Sequence, residues 1–220
     1  MGQKVNPNGF RIGITNTWSS SWFASGNKFR QYFLQDVKIR RYIRERLPDA
    51  GISKIAIDRS KNVSVTIHSA KPGVIIGKQG ASIELLKGDL NKKFPGTFDV
   101  NIQEVRNPDG DAEVIAELIQ GQLQRRMPFR RAAKMAIEKA MQSGVTGIKV
   151  TIAGRLNGAE IARSEQFKDG NIPLQTLRAD VTMARRTAQT TYGSLGIKVW
   201  VYNGLVFKKI QQVQSSPLHS

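Results

Sequence analysis

The sequence predicts an α+β protein with two structured halves, because helical and strand patterns lie on both sides of one polar break. Segments such as "ISKIAIDR" and "GIKVTIAG" alternate apolar and polar residues, which is typical of half-buried strands. Residues 112–127 instead repeat apolar residues every three or four positions, as helices do. The break, "RNPDGD" at residues 106–111, is rich in turn-forming residues. At 220 residues, the chain is long enough for each half to bury a core.

The first half, residues 19–106, is predicted to contain a helix, two strands, a glycine loop, a second helix and a third strand. The first helix covers residues 28–47, where apolar residues recur at helical spacing until Pro48. "ISKIAIDR" and "VSVTIH" flank a short turn and should form a hairpin. The second helix follows Gly80 and ends before Pro95, and "FDVNIQEV" is the third strand. Residues 1–18 lack a period and are expected to form an extended arm.

The second half, residues 107–210, is predicted to be an α/β domain with an antiparallel or mixed sheet. Two helices come first, and the second begins after Pro128 and runs to about residue 141. "GIKVTIAG" is a strand, and "LNGAEIARSEQF" is a glycine turn that leads into a short helix or strand. "RADVTMARRTAQTTYG" and "GIKVWVYNG" predict a final hairpin. Residues 211–220 are expected to be a frayed tail.

The charge of the chain indicates a polyanionic partner. Lys and Arg total 34 against 17 Asp and Glu, so the formal net charge is +17, while 40% of residues are apolar. A folded protein with this excess of positive charge repels itself unless a polyanion neutralises it. This charge favours nucleic acid, with an anionic membrane surface as the weaker candidate. No apolar run approaches the roughly 18 residues that span a bilayer, so no membrane-spanning segment is expected. No signal peptide is visible, so the expected location is the cytoplasm.

The residue types needed for catalysis are scarce. The chain has no cysteine and only two histidines, His68 and His219, neither of which lies in a ligand pattern. A nuclease or nucleotide hydrolase would need a metal-binding carboxylate cluster or an activated nucleophile, and neither is visible. We therefore expect a protein that is not an enzyme and that has no cofactor and no bound metal.

The glycine loop "PGVIIGKQG" predicts contact with a phosphate. A P-loop needs four residues between its glycines and a hydroxyl after its lysine, whereas three residues separate Gly73 from Gly77 and Gln79 replaces the hydroxyl. The alternative is a Gly-x-x-Gly loop formed by Gly77, Lys78, Gln79 and Gly80 between two helices. Glycines allow close approach of a nucleic-acid backbone, and Lys78 adds charge. The remaining alternative is that the glycines only permit a tight turn between helices.

The order of elements in this half resembles a KH domain of the second type, αββααβ. This resemblance implies that the sheet and the helix pair hold about four unpaired nucleotides.

Seven motifs extend the resemblance to nearly the whole chain. They are "GQKVNPNGFRIG", "KPGVIIGKQG", "RRMPFRRAAKMAI", "GIKVTIAGRLNGAEIAR", "PLQTLRAD", "TTYG" and "GIKVWVY". In this order they resemble the family of bacterial small-subunit ribosomal protein three. The resemblance implies a KH half joined to an α/β half in the head of the small subunit. It also implies ribosomal RNA and neighbouring head proteins as partners, and exposure where messenger RNA enters. A KH-type RNA chaperone outside the ribosome is the rival hypothesis.

Cations on the helix after Pro128 are the candidate contacts for messenger RNA. Arg130, Arg131 and Lys134 lie opposite an apolar stripe, so the helical period alone allows either a solvated face or an RNA contact. The resemblance implies that these three residues face incoming messenger RNA and help to open its duplexes.

Further cations are candidate contacts for ribosomal RNA. Arg155 and Arg163 lie beside glycines that could admit a phosphate backbone, although they could instead pair with Glu160 and Glu165. The resemblance favours RNA, and the same reasoning adds Lys4, Arg11 and Arg178 as positioning contacts. Arg185 and Arg186 are either extra RNA contacts or exposed strand charges. The basic face of the first helix is left open between RNA and solvent: Lys38, Arg40, Arg41, Arg44 and Arg46.

Overall fold

The computed structural model describes residues 4–207, and the tail predicted at residues 211–220 lies outside them. The predicted α+β class and the αββααβ order of the first half are confirmed. The helices are α1 (Pro7–Phe10), α2 (Gly26–Arg46), α3 (Pro72–Ile76), α4 (Ala81–Lys93), α5 (Ala112–Gln124) and α6 (Phe129–Gln142). The strands are β1 (Ser20–Ser21), β2 (Ile52–Arg59), β3 (Val63–Ser69), β4 (Phe98–Glu104), β5 (Gly147–Gly154), β6 (Arg163–Gly170), β7 (Ala179–Thr190) and β8 (Gly193–Leu205).

The first sheet is mixed and has the strand order β1-β2-β3-β4. β2 and β3 form the predicted antiparallel hairpin, and β4 runs parallel to β3. Apolar residues on one face of the sheet pack against α2 and α4. The helices contribute Ile39 and Ile43 of α2 and Leu90 of α4 to this core. β1 was not predicted, because a two-residue strand shows no alternation.

A buried carboxylate holds α2 and β1 on this sheet. Asp36 is only 1% exposed and accepts hydrogen bonds from the Ser20 hydroxyl at 3.1 Å and the Trp22 indole at 2.8 Å. The guanidinium of Arg59 on β2 also donates to this carboxylate and lies 4.7 Å from the ring centroid of Tyr32. Since Asp36 is buried and its charge is matched by Arg59, the pair fixes the position of α2.

The second sheet is antiparallel, with the strand order β6-β5-β8-β7. Its core lies under α5 and α6, which cover one face. The predicted final hairpin is β7 and β8, and the segment after the glycine turn is strand β6. No helix within residues 4–207 is long and apolar enough to cross a membrane.

The two halves meet at the start of α5. Asp111 caps this helix by accepting from the backbone N–H groups of Glu113 and Val114, and its other oxygen accepts from the Ser53 hydroxyl of β2 at 2.5 Å. α5 also packs against β2. The polar break thus forms a contact between the halves, and the domain division at residues 106 and 107 stays a prediction.

The N-terminal arm is not simply extended, because α1 forms within it and packs against β7. β7 is one of the two edge strands of its sheet, and the Asn8 side chain forms hydrogen bonds with its backbone. The Asn8 side-chain amide donates to the Met183 carbonyl at 2.8 Å, and its oxygen accepts from the Met183 N–H at 2.9 Å. The arm therefore covers part of an exposed sheet edge.

Arg11 is the main anchor of the arm. Its side chain is fully buried, and its guanidinium donates to five backbone carbonyls. These acceptors are Ala179 at 2.7 Å, Thr176 at 2.9 Å, Leu174 at 3.1 Å, Pro7 at 3.2 Å and Pro173 at 3.4 Å. Burial lowers the pKa of Arg11, and Asp180 acts in the opposite direction.

Replacing Arg11 should destabilise the protein strongly. Arg11→Ala would leave buried carbonyls without donors, so we expect a loss of about 3 kcal/mol in the free energy of unfolding. Urea unfolding followed by circular dichroism measures this change. Arg106→Ala is the control, because Arg106 is exposed and its removal should change stability by less than about 0.5 kcal/mol. Equal unfolding midpoints for the two variants would contradict the anchoring role.

Candidate nucleic-acid interface

The GKQG loop joins α3 to α4 through a single 3-10 turn at Lys78–Gly80. Gly77 has φ 70° and ψ −173°, and a Cβ added there would lie 2.2 Å from the Ser82 hydroxyl oxygen. Gly80 has φ 82° in open space, so only its left-handed backbone requires glycine. Lys78 is exposed between them. The loop is thus a tight turn that also presents a cation to solvent.

A groove of about 620 Å³ lies beside α4, and we call it the α4–β4 groove. Its lining residues are Ser60, Lys61, Asn62, Ser64, Ile83, Glu84, Lys87, Asp99, Val100 and Asn101. Ile83 and Val100 supply apolar surface, and Asn62 and Asn101 supply amide groups. Such a mixture suits the faces and edges of unpaired bases better than it suits phosphates.

The charges inside the α4–β4 groove are mixed. Lys87 Nζ lies 2.8 Å from Asp99 Oδ1, and both side chains are 46% exposed. The Lys87 hydrogen bond, followed by one from Asn62, lowers the pKa of Asp99, so this carboxylate is ionised at neutral pH. Asp99 forms an ion pair with Lys87 and repels phosphate, so the groove itself is a poor phosphate site. Lys78 in the GKQG loop is better suited to bind a phosphate.

The basic face of α6 consists of Arg130, Arg131 and Lys134, all exposed. The opposite face is buried and consists of Phe129, Ala132, Ala133, Ala136, Ile137 and Ala140. Arg130 and Arg131 occupy the first turn of α6, where no acidic residue is present. Cations are unfavourable at a helix N-terminus, so helix stability does not explain these two arginines.

One carboxylate joins this face to a neighbouring strand. Arg130 and Arg163 each place an Nη2 atom 3.4 Å from Oε1 of Glu165. In the protein without RNA, Arg163 thus pairs with Glu165, which is one of the two possibilities that the sequence left open. Since one carboxylate serves two exposed guanidinium groups, Arg130, Arg131, Lys134 and Arg163 together keep a net positive charge.

Arg155 and Arg178 are exposed and carry no carboxylate partner among the described residues. Arg155 donates to the carbonyls of Ala159 at 2.9 Å and Tyr192 at 3.2 Å, which hold its side chain in place without neutralising it. The Arg178 guanidinium lies 5.8 Å from the ring centroid of Phe207. Lys4 and Arg185 are also exposed. These four cations are accessible to RNA.

Two of the predicted RNA contacts are corrected by the structure. Arg11 is fully buried against backbone carbonyls and presents no N–H to a phosphate. Arg186 is turned toward α5, with Nε 3.1 Å from Glu113 Oε2 and Nη2 3.5 Å from Glu117 Oε2. Burial raises the pKa of both glutamates, and Arg186 opposes that shift. In the unbound protein Arg186 is therefore paired with two carboxylates and is not an exposed strand charge, which makes it a poorer RNA contact than Arg185.

Three further cations, Lys149, Lys168 and Lys198, were not singled out from the sequence. They lie with Arg185 on the face of the second sheet that faces away from α5 and α6, which we call the open sheet face. Strand alternation assigns each of these residues to one face of its own strand, but it does not show which residues of other strands lie next to it. Only the strand register shows that they are neighbours.

The fold and these surfaces define a KH-domain protein with basic outer surfaces. A family model described as "KH domain" matches residues 38–110, and one described as "Ribosomal protein S3, C-terminal domain" matches residues 119–201. The chain belongs to the ribosomal protein uS3 family, which is not a family of enzymes.

Curated relatives agree over nearly the full length. The chain is 50% identical to small ribosomal subunit protein uS3 of Chromobacterium violaceum, over 99% of this chain and 93% of that protein. It is 50% identical to the Clostridium acetobutylicum protein of the same name, over 98% of this chain and 99% of that protein. For the Paraburkholderia phymatum protein of that name, identity is 48% over 93% of this chain and 78% of the relative.

Reversing the charge of the GKQG loop tests whether it is more than a turn. Lys78→Asp with Gln79→Asp should weaken binding to an unstructured oligonucleotide, because the loop would repel phosphate, while the fold stays intact. Fluorescence anisotropy measures the binding, and circular dichroism checks the fold.

The matched control is Asn91→Asp with Lys92→Asp at the other end of α4. It changes the charge equally, and the new carboxylate can still accept from Phe98 N–H as Asn91 does. If both double variants bind as wild type does, the loop is only a turn.

Proposed function

We propose that this protein is a structural component of the small ribosomal subunit, located in its head in the cytoplasm and bound to ribosomal RNA. Its family membership and the names of its relatives support this role. The net charge of +17 supports a polyanionic partner. Lys4, Arg155, Arg163, Arg178 and Arg185 are the proposed ribosomal RNA contacts, and they position the protein without reading sequence.

The KH half is proposed to hold unpaired RNA. Gly77 and Gly80 allow the phosphate backbone to approach the loop closely, and Lys78 supplies charge there, with Gln79 in the same turn. The apolar and amide side chains of the α4–β4 groove are suited to the bases. This division assigns phosphates to the loop and bases to the groove.

Arg130, Arg131 and Lys134 are proposed to contact messenger RNA where it enters the subunit. The observation that carries this proposal is the exposure of three cations opposite the buried stripe of α6, at a helix end that does not favour them. They would bind the backbones of separated strands and so disfavour re-pairing. The mechanism is passive, because these side chains supply charge and the ribosome supplies movement.

Neighbouring proteins of the head are further proposed partners. The outer side of α2 presents Phe29, Phe33 and Val37 at a spacing of four, each about half exposed. Phe23, which precedes α2 in the chain, is 94% exposed. An apolar surface of this kind on a folded monomer is typical of a protein contact.

Binding to ribosomal RNA should depend steeply on salt. If the proposed exposed contacts Lys4, Lys78, Arg155, Arg163, Arg178 and Arg185 each neutralise one phosphate, the log–log slope of affinity against salt should be about −4 to −5. Filter binding to small-subunit ribosomal RNA between low and moderate salt measures it. A slope near zero would contradict the proposal. A protein that washes off small subunits at high salt would favour the RNA chaperone instead.

Removing the α6 cations should impair passage through messenger hairpins. Arg130→Ala, Arg131→Ala and Lys134→Ala together leave the buried face unchanged, and alanine favours helix, so subunits should still incorporate the protein. Translation of a message with a stable downstream hairpin should slow, whereas a matched unstructured message should be translated at nearly the normal rate.

The control for this triple variant is Arg30→Ala, Arg106→Ala and Lys139→Ala, which removes the same charges from exposed positions elsewhere. Equal slowing on both messages, or on neither, would refute the assignment to messenger RNA. Failure of the α6 variant to enter subunits would show that these residues anchor ribosomal RNA.

A further inference from the structure

The open sheet face brings four cations into two cross-strand pairs. Lys149 on β5 lies directly opposite Lys168 on β6, and Arg185 on β7 lies directly opposite Lys198 on β8. Side chains in such positions have Cβ atoms about 5 Å apart, and like charges there are destabilising. The pairs lie in adjacent cross-strand rows, so the four charges share one surface.

No carboxylate among residues 4–207 pairs with these four cations to compensate the repulsion. The two rows consist of Lys168, Lys149, Trp200 and Met183, and of Gln166, Thr151, Lys198 and Arg185. No residue of either row is acidic, and within residues 4–207 none of the four cations forms an ion pair. Burial, followed by the charges of Lys4 and Lys168, lowers the pKa of Lys149. Lys4 of the arm therefore adds a fifth positive charge close to Lys149.

Trp200 lies among these cations and is only partly exposed. The Lys149 ammonium lies 5.5 Å from its ring centroid, so the ring supports the lysine stem and holds its charge above the sheet. Because the Lys149 ammonium lies over one face of the ring, a base cannot stack on that face of Trp200. The surface is suited to a chain of phosphates.

We propose that the open sheet face, formed by Lys149, Lys168, Arg185 and Lys198, is a second RNA-backbone-binding surface, separate from the GKQG loop and the α6 cations. This inference rests on the proposed ribosomal role and specifies where the second half binds RNA. The sheet fixes the spacing of the backbone positions that carry these cations, which favours a polyanion with regularly repeated charges. Binding of that polyanion would relieve the cross-strand repulsion at low salt, where the charges are poorly screened.

The test removes one exposed member of each pair, with Lys168→Gln and Arg185→Gln, and keeps Lys149 on Trp200. Two measurements on the full chain should move in opposite directions. At low salt the melting temperature should rise above that of wild type, because both like-charge pairs are gone, and the difference should shrink near 1 M salt. Affinity for small-subunit ribosomal RNA should fall, and its log–log salt slope should decrease in magnitude by about 1.4–1.8.

The matched control, Lys92→Gln with Arg106→Gln, removes one lysine and one arginine from exposed positions outside this face. It should change neither the melting temperature nor the salt slope. If the sheet-face variant has the same RNA affinity and slope as this control, the inference is overturned while the proposed function stands. The same holds if it binds RNA normally but fails to enter subunits, which would indicate an acidic protein partner. A wild-type protein that does not bind the RNA overturns the proposed function itself.

Discussion

The physical constraint on which this structure depends is a shortage of carboxylates, since 17 acidic residues accompany 34 basic ones. Where an arginine must be buried, the fold supplies it with acceptors. Asp36 neutralises Arg59 inside the first half, and Glu113 and Glu117 of α5 share Arg186. Arg11 is surrounded by backbone carbonyls instead. The cations that remain outside form the surfaces that we assign to RNA.

Much of the fold could be predicted from the sequence, because helices and strands have their own periods and glycine loops act locally. The GKQG loop was located correctly since the φ angles of Gly77 and Gly80 depend on a few neighbouring residues. The basic and buried sides of α6 followed from the helical repeat in the same way. In both cases the deciding contacts lie within one element or one turn of it.

The burial and the hydrogen-bond partners of Arg11 and Arg186 could not be predicted, because they depend on distant parts of the chain. Alternation places Arg185 and Arg186 on opposite faces of β7, but only the position of α5 shows which face is covered. Arg11 looked like a free cation of an unpatterned arm, whereas four of its five acceptors lie more than 160 residues away in the chain. The like-charge pairs of the open sheet face were hidden for the same reason, since strand register is not local.

The docking of the N-terminal arm on β7 has a consequence for biosynthesis. The ribosome adds Arg11 to the chain 168 residues before Ala179, whose carbonyl accepts a hydrogen bond from Arg11. At about 5–20 residues per second, the arm waits on the order of ten seconds for its acceptors. A nascent chain can assemble its KH half meanwhile, but the arm can dock only after β7 has been made. The arm thus reaches its native place long after its own synthesis, which makes its docking on this edge of the second sheet a late step in maturation.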